Sequence, residues 1–169
     1  VKVPTFSWLK LTGLDTVLGP EMKSTGEAMG HGPNFGTAYL KAMKGGNKKL
    51  PTKGTVFLSI SNKLKLEFGN IAQELIDLGF KFIATKGTAA HLRNKGIESK
   101  VIWRISDRKQ PDILSVMREG NVDLIINLPT GRRAATDGAQ MRRLAVELGI
   151  PFITTLTGAK AAIDSLKEG

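Results

Sequence analysis

From residue 54 to the C-terminus the chain alternates between two hydrophobic periods, and this alternation constrains its fold more than any other feature. "TVFLSI" is a β-branched and aromatic run suited to a buried strand. "EFGNIAQELIDLG" then sets Phe68, Ile71, Ala72, Leu75, Ile76 and Leu78 mostly along one helical stripe and stops at Gly79. The order repeats with "FKFIAT" and the short helix "TAAHLRNKG", then with "KVIWRI" and "PDILSVMREG", whose proline is read as lying in the first helical turn. "VDLIINL" and "DGAQMRRLAVELG", then "IPFITT" and "LTGAKAAIDSLKEG", complete the series. Strands separated by helices of about 9 to 13 residues imply parallel pairing through right-handed crossovers, with helices over both faces. The expected fold is α/β: three layers, α/β/α, around a parallel, about five-stranded, Rossmann-like sheet. The third strand is the least defined, because "WRISDRKQ" brings charge directly behind it; it reads as an edge strand or a long loop.

The first thirty residues have a different texture. They are rich in Pro, Gly and Thr, show no sustained period of either kind, and cannot make a core alone. "NFGTAYLKAMKG" then predicts a short helix, with Phe35, Ala38, Tyr39 and Ala42 at helical spacing and Asn34 as its cap. "GGNKKLPTKG" reads as a linker. The expected organisation is therefore residues 1–30 as an appendage, 31–53 as helix and linker, and 54–169 as the globular domain. A chain of 169 residues can bury one good core and little more. It has no run of about 18 apolar residues to span a bilayer, and its start lacks the pattern of a secretory signal. Cysteine is absent, which removes disulfide and thiolate chemistry and fits a cytoplasmic setting.

A formal charge of +10 raises the question of nucleic acid. The cations are scattered and often sit beside acids, and nothing resembles the basic and aromatic core of an RNA-recognition module. Neither nucleic acid nor membrane is an expected partner.

Parallel strands bring their exits to one rim, and in open α/β sheets ligands bind beyond those ends. "LIINLPTGRRAATD" runs from buried strand into an amide, a proline, a glycine and two arginines, which reads either as an anion site or as a plain strand-to-helix loop. "ATKGTA" carries the clearest chemistry: hydroxyls at Thr85 and Thr88, close backbone approach at Gly87, and a helix N-terminus beginning near Thr88. Thr85 and Thr88 acting only as helix caps is the competing reading. Lys65 and Arg104 could close on the same anion as point charge and fork, or be solvated cations. Arg132 and Arg133 more often pin carboxylates. His31 and His91 stand apart from any acid pair, and no metalloprotease, Cys/His, nucleophile-elbow or Walker A motif is present. No metal site and no catalytic residue is expected.

Four stretches carry a family resemblance: "LGPEMKSTGEAMG", "ATKGTAAHL", "IINLPTGRRA" and "FITTLTGAKAA". In that order and spacing they resemble the C-terminal end of the large subunit of carbamoyl phosphate synthase, over essentially the whole chain. The resemblance implies that residues 1–30 are the tail of the second ATP-grasp half and that residues 54–169 are a methylglyoxal-synthase-like allosteric domain. The implied activity belongs to the full subunit, an ATP-dependent ligase of arginine and pyrimidine biosynthesis. ATP, Mg and K are expected there, and no cofactor is expected in this fragment. The implied partners are the rest of the large subunit, the glutaminase small subunit and a small anionic effector of the UMP, IMP or N-acetylglutamate type; homo-oligomerisation is left open.

By motif position the resemblance assigns the effector phosphate to Lys65, Thr85, Gly87 and Thr88. It assigns the ribose and base, or a carboxylate, to Ser59, Arg104, Asn127 and Thr130, and an ornithine contact to Thr154. The chain departs from the bacterial pattern at Leu128, Pro129 and Phe152, and its Asn-Leu-Pro run resembles the ammonia-type synthases activated by N-acetylglutamate. The alternatives are a methylglyoxal synthase-type lyase and an oligomerisation module without ligand. The lyase would need a Gly-Gly-Asp turn where this chain has Thr-Gly-Arg-Arg, and the nearest acid, Asp137, is read as lying inside the following helix.

Overall fold

The computed structural model of the chain describes residues 1–10, 16, 18, 20–129 and 132–168, with the backbone alone for 132–136. It opens with β1 (Lys2–Thr5), β2 (Gly26–Met29) and α1 (Phe35–Gly45). The alternating part follows as β3 (Gly54–Ile60), α2 (Lys65–Asp77), β4 (Phe80–Thr85), α3 (Lys86–Arg93), β5 (Lys100–Ile102) and α4 (Ile113–Arg118). It ends with β6 (Leu124–Leu128), α5 (Arg132–Leu148), β7 (Phe152–Ile153) and α6 (Leu156–Glu168). Short 3-10 turns at Asn62–Leu64 and Ile105–Asp107 follow β3 and β5.

The five strands from β3 to β7 form one sheet in the order β5-β4-β3-β6-β7. Every neighbouring pair is parallel, as the helix-separated strands predict. The chain steps outward from β3 in one direction to β5, then returns to the other side of β3 with β6. The switch point therefore lies between β3 and β6, the position at which open α/β sheets form a crevice at the strand exits.

The period of two along each strand divides the interior into two layers. Val56, Leu58, Leu124 and Ile126 face one layer, where Phe68 and Leu75 of α2, Leu92 of α3 and Ile163 of α6 pack. Phe57, Ile83, Ile102 and Ile125 face the other, against Ile113 and Met117 of α4 and Met141 of α5. The α2 stripe enters the first layer, and Gly79, at a φ of +85°, turns the chain back into β4 as a residue without Cβ can.

One open local expectation is settled and three change. The third strand is an edge strand of three residues, paired from Lys100 to Ile102 with β4, and Trp103 makes a single further bridge to Asp112. Pro111 precedes the N-cap of α4 instead of lying in its first turn; the cap is Asp112, whose carboxylate accepts from Ser115 N–H at 2.9 Å. Helix α5 starts five residues before Asp137, at Arg132. The first thirty residues also hold an antiparallel strand pair, with Val3 opposite Ala28, too short for periodicity to register.

The segment read as a linker is packed. Leu50 is buried in the first layer, and Lys48 Nζ stands 4.9 Å from the Phe6 ring centroid. Helix α1, capped by Asn34, packs on α6, and Gly36 N–H donates to Glu168 Oε2 at 2.8 Å. Among the described residues no helix is long and apolar enough to cross a membrane.

Candidate functional site

A cleft of about 880 Å³ opens at the exits of β3, β4, β5 and β6. A second hollow, of about 1080 Å³, lies at the opposite ends of β4 and β5 over Phe80, Phe82 and Ile97. The first is the candidate site because of its chemistry. Ser59, Lys65, Thr85, Gly87, Thr88, Arg104 and Asn127 all line it. Thr130 lies outside the described residues, as do the side chains of Arg132 and Arg133. Thr154 is exposed beyond β7 and is not among the lining residues.

The convergence has local causes. Ser59 and Asn127 are register partners on neighbouring strands and project from the α5 side of the sheet. Lys65 begins α2 directly after the 3-10 turn, and its Nζ donates to the Gly87 carbonyl at 2.7 Å, joining two strand exits. Arg104 follows the edge strand β5, and its own N–H donates to Asp107 Oδ2 at 3.1 Å. Burial, and then the nearby Arg104 charge, hold the Lys65 ammonium below the usual lysine range. Among the described residues neither cation is paired with a carboxylate.

Helix N-termini add to this field. α4 is capped by Asp112, and Thr155 Oγ1 accepts from Gly158 N–H at 3.1 Å at the start of α6. α2 and α3, which start at the cleft, have no side-chain cap. Thr85 occupies the cap position of α3, but its hydroxyl donates to Thr88 Oγ1 at 3.2 Å. Capping therefore does not account for this pair of threonines, and the N–H groups of the first turn are left for another acceptor. The Ser61 hydroxyl and Asn127 Nδ2 are buried without a hydrogen-bond partner, although both residues line the cleft.

Thr88 has a second employment that its sequence position does not reveal. Ile60 N–H, at the last residue of β3, donates to Thr88 Oγ1 at 3.0 Å, in a buried setting. The hydroxyl proton is left with the Ile60 carbonyl 3.5 Å away, too far to hold it firmly, so it can turn to an anion. Thr88→Val is nearly isosteric yet strands the Ile60 N–H. We expect it to cost about 1 to 3 kcal/mol of folding stability. Urea denaturation measures this, and an unchanged midpoint would contradict the assignment.

Sequence reasoning missed Ser106, Asp107 and the cleft-facing role of Asp137, all of which line the site. Asp137 does lie inside α5, as expected, yet its carboxylate accepts from Ser106 Oγ at 2.8 Å and from Ser106 N–H at 3.3 Å. The five extra residues at the start of α5 set Asp137 in the second turn, facing the turn that carries Arg104. The charge in "WRISDRKQ" was the available signal, and it reads equally well as a solvated loop. Among the described residues no group of three or more His, Cys, Asp or Glu could hold a metal ion.

Comparison with known proteins agrees with this architecture. A family model described as MGS-like domain matches residues 67–154. The chain is 47% identical, over 99% of its length, to the C-terminal section of the carbamoyl phosphate synthase large chain of Methanocaldococcus jannaschii, and spans 27% of that protein. It is 48% identical, again over 99% of its length, to the carbamoyl phosphate synthase large chain of Archaeoglobus fulgidus, of which it spans 16%. Among solved structures it resembles methylglyoxal synthase from Elizabethkingia anophelis, with a TM-score of 0.54 and 19% identity, covering 68% of this chain and 79% of that one. The last likeness concerns the fold alone. With the family model covering just over half of the residues and the parallel sheet in place, the chain belongs to the MGS-like domain family.

Proposed function

We propose that the chain is the allosteric C-terminal part of the large subunit of a carbamoyl phosphate synthase, and that its cleft takes a small anionic effector of the UMP, IMP or N-acetylglutamate type. Bound effector would tune the ATP-dependent synthesis of carbamoyl phosphate for arginine and pyrimidine biosynthesis. In this reading residues 1–30 end the second ATP-grasp half, 31–53 connect it, and 54–169 form the regulatory domain in the cytoplasm. ATP, Mg and K belong to the rest of the subunit, and the glutaminase small subunit is its partner.

One observation carries the reading. Lys65 and Arg104 come from different strand exits and share one cleft without a carboxylate to pair either of them. Two unpaired cations repel, and a bound anion removes that cost. Calorimetric titration with UMP, IMP, N-acetylglutamate and inorganic phosphate tests it, and no binding by any of them would defeat it. A flat thermal-shift profile across the same set would favour the oligomerisation module.

The lowered Lys65 pKa gives the titration a pH signature. A bound anion favours the ammonium, so affinity should fall as pH rises through the lowered value, earlier than for an ordinary lysine. The ligand-free fold behaves oppositely. Between the folded and unfolded pKa values the unfolded chain binds more protons, so Lys65 makes stability rise with pH across that window. Lys65→Met should abolish both trends, at the cost of a small fall in Tm from the lost bond to the Gly87 carbonyl.

The two carboxylates favour a second reading. Asp107 and Asp137 line the cleft, and a lyase that eliminates phosphate from dihydroxyacetone phosphate needs a carboxylate base beside the phosphate cradle. Asp137 is engaged by Ser106 through two hydrogen bonds, which disfavours that role. The expected result is no methylglyoxal from dihydroxyacetone phosphate with the purified chain; its formation would select the lyase.

A further inference from the structure

We infer that Asp137 is a specificity-determining residue of the cleft. Together with Asp107 it makes the α5 side take a hydroxyl-bearing group and turn away a second negative charge, so the site prefers a phosphate ester of a polyol to a dicarboxylate. The inference rests on the anion-site reading above and deepens it. The cleft crosses the carboxyl edge of the sheet from one face to the other. On the face covered by α2 and α3 it offers Lys65, the Gly87 backbone and Thr88. On the face covered by α4 and α5 it offers Asn127, Asp107 and Asp137. Asp137 stands one turn before Met141, which is buried in the second layer and lines the same cleft, so the two share a face of α5.

The two sides differ in what they can bind. The Lys65 ammonium and the uncapped first turn of α3 present donors, which suit an anion. The α5 side mixes both capacities. Asn127 is only 3% exposed, and its Nδ2 is a buried donor without a partner. Asp107 and Asp137 are acceptors, and neither forms an ion pair among the described residues. Asp137 engages Ser106 through Oδ2 alone, which accepts both the hydroxyl and the N–H; its Oδ1 accepts no hydrogen bond among the described residues.

An unpartnered donor and two carboxylate acceptors in one cleft are the complement of hydroxyl groups, which accept one hydrogen bond and donate another. Ligand hydroxyls can accept from the Asn127 amide and donate to a carboxylate oxygen, and a hydrogen bond to an ionised acceptor is stronger than a neutral one. A ligand carboxylate can only accept, and at Asp137 it meets a like charge that no cation pairs with. Ordinary helix electrostatics does not account for this acid: the N-terminal dipole favours carboxylates in the first turn, and Asp137 lies in the second.

The test is calorimetric titration of the 169-residue chain with three probes: inorganic phosphate, ribose 5-phosphate and N-acetylglutamate. The wild type should bind ribose 5-phosphate the most tightly and N-acetylglutamate the most weakly. Asp137→Asn keeps an acceptor for Ser106 in an exposed setting, so it should fold with a nearly unchanged Tm. It should weaken ribose 5-phosphate and tighten N-acetylglutamate, moving the ratio of their affinities by about tenfold or more, while inorganic phosphate changes least. Asp107→Asn is an independent arm and should move the ratio in the same direction. A ratio unchanged in both variants, a change of equal sign and size for all three probes, or a wild type that prefers N-acetylglutamate would overturn the role of Asp137 while leaving the anion site standing. Failure of the wild-type chain to bind any of the three would instead remove the anion-site reading, and this inference with it.

Discussion

Leu58→Ala should lower the free energy of unfolding by about 2 to 5 kcal/mol, a large fraction of the roughly 5 to 15 kcal/mol that holds a domain together. Leu58 sits in β3, the strand with neighbours β4 and β6 on its two sides, and is fully buried. Its side chain enters the layer that holds Phe68 and Leu75 of α2 and Ile163 of α6, so truncation leaves a hole that helices from two distant parts of the chain would have to close. A parallel sheet covered on both faces relaxes poorly at its central strand, which puts the expected cost toward the upper part of that range. Leu66, in the first turn of α2 and 77% exposed, is the control: Leu66→Ala should change stability by less than about 0.5 kcal/mol. Urea denaturation with a shifted midpoint and an unchanged slope checks both. A midpoint in Leu58→Ala equal to that of the wild type would mean that the sheet order is wrong.

Arg104→Met should weaken anion binding by about 1.5 to 3 kcal/mol, roughly ten- to a hundredfold, with little effect on folding. Its guanidinium borders the cleft from the edge-strand side and makes no ion pair among the described residues, so its removal costs the ligand a fork of charge-assisted donors and costs the fold little. Removing Lys65 as well should bring binding below detection and flatten its dependence on salt. Lys109 is the matched control, a nearby cation held 4.5 Å over the Trp103 ring, and Lys109→Met should leave affinity nearly unchanged. The result that would sink the site is wild-type affinity in Arg104→Met and Lys65→Met together. Losses of similar size at Lys109 and Arg104 would reduce the cleft to a diffuse basic surface.

Much of the site is legible from the residues themselves, and the limits are physical. Hydroxyls, a glycine and cations placed directly after apolar runs mark strand exits, and parallel pairing sends all exits to one rim. Seven of the expected residues line the same cleft for that reason. Thr154 follows the outermost strand β7, the element farthest from β4 and β5 in the sheet, and sequence position alone does not reveal that distance. Asp137 belongs to a helix whose start the hydrophobic pattern places five residues late, since "RRAAT" carries no apolar stripe. Thr88 illustrates a different limit: its bond to Ile60 crosses 28 positions, and only a contact between β3 and α3 creates it.

The order of strand and helix, the parallel pairing and the two-faced burial follow from periodicity, because burial of one face is a property that each segment carries in its own spacing. The strand order β5-β4-β3-β6-β7 is a property of no single segment. It places the switch point between β3 and β6, and so decides which cations share a cleft and which carboxylates line it with them. Those relations depend on distances between residues far apart in the chain, and they come into being only when the sheet closes around its two layers.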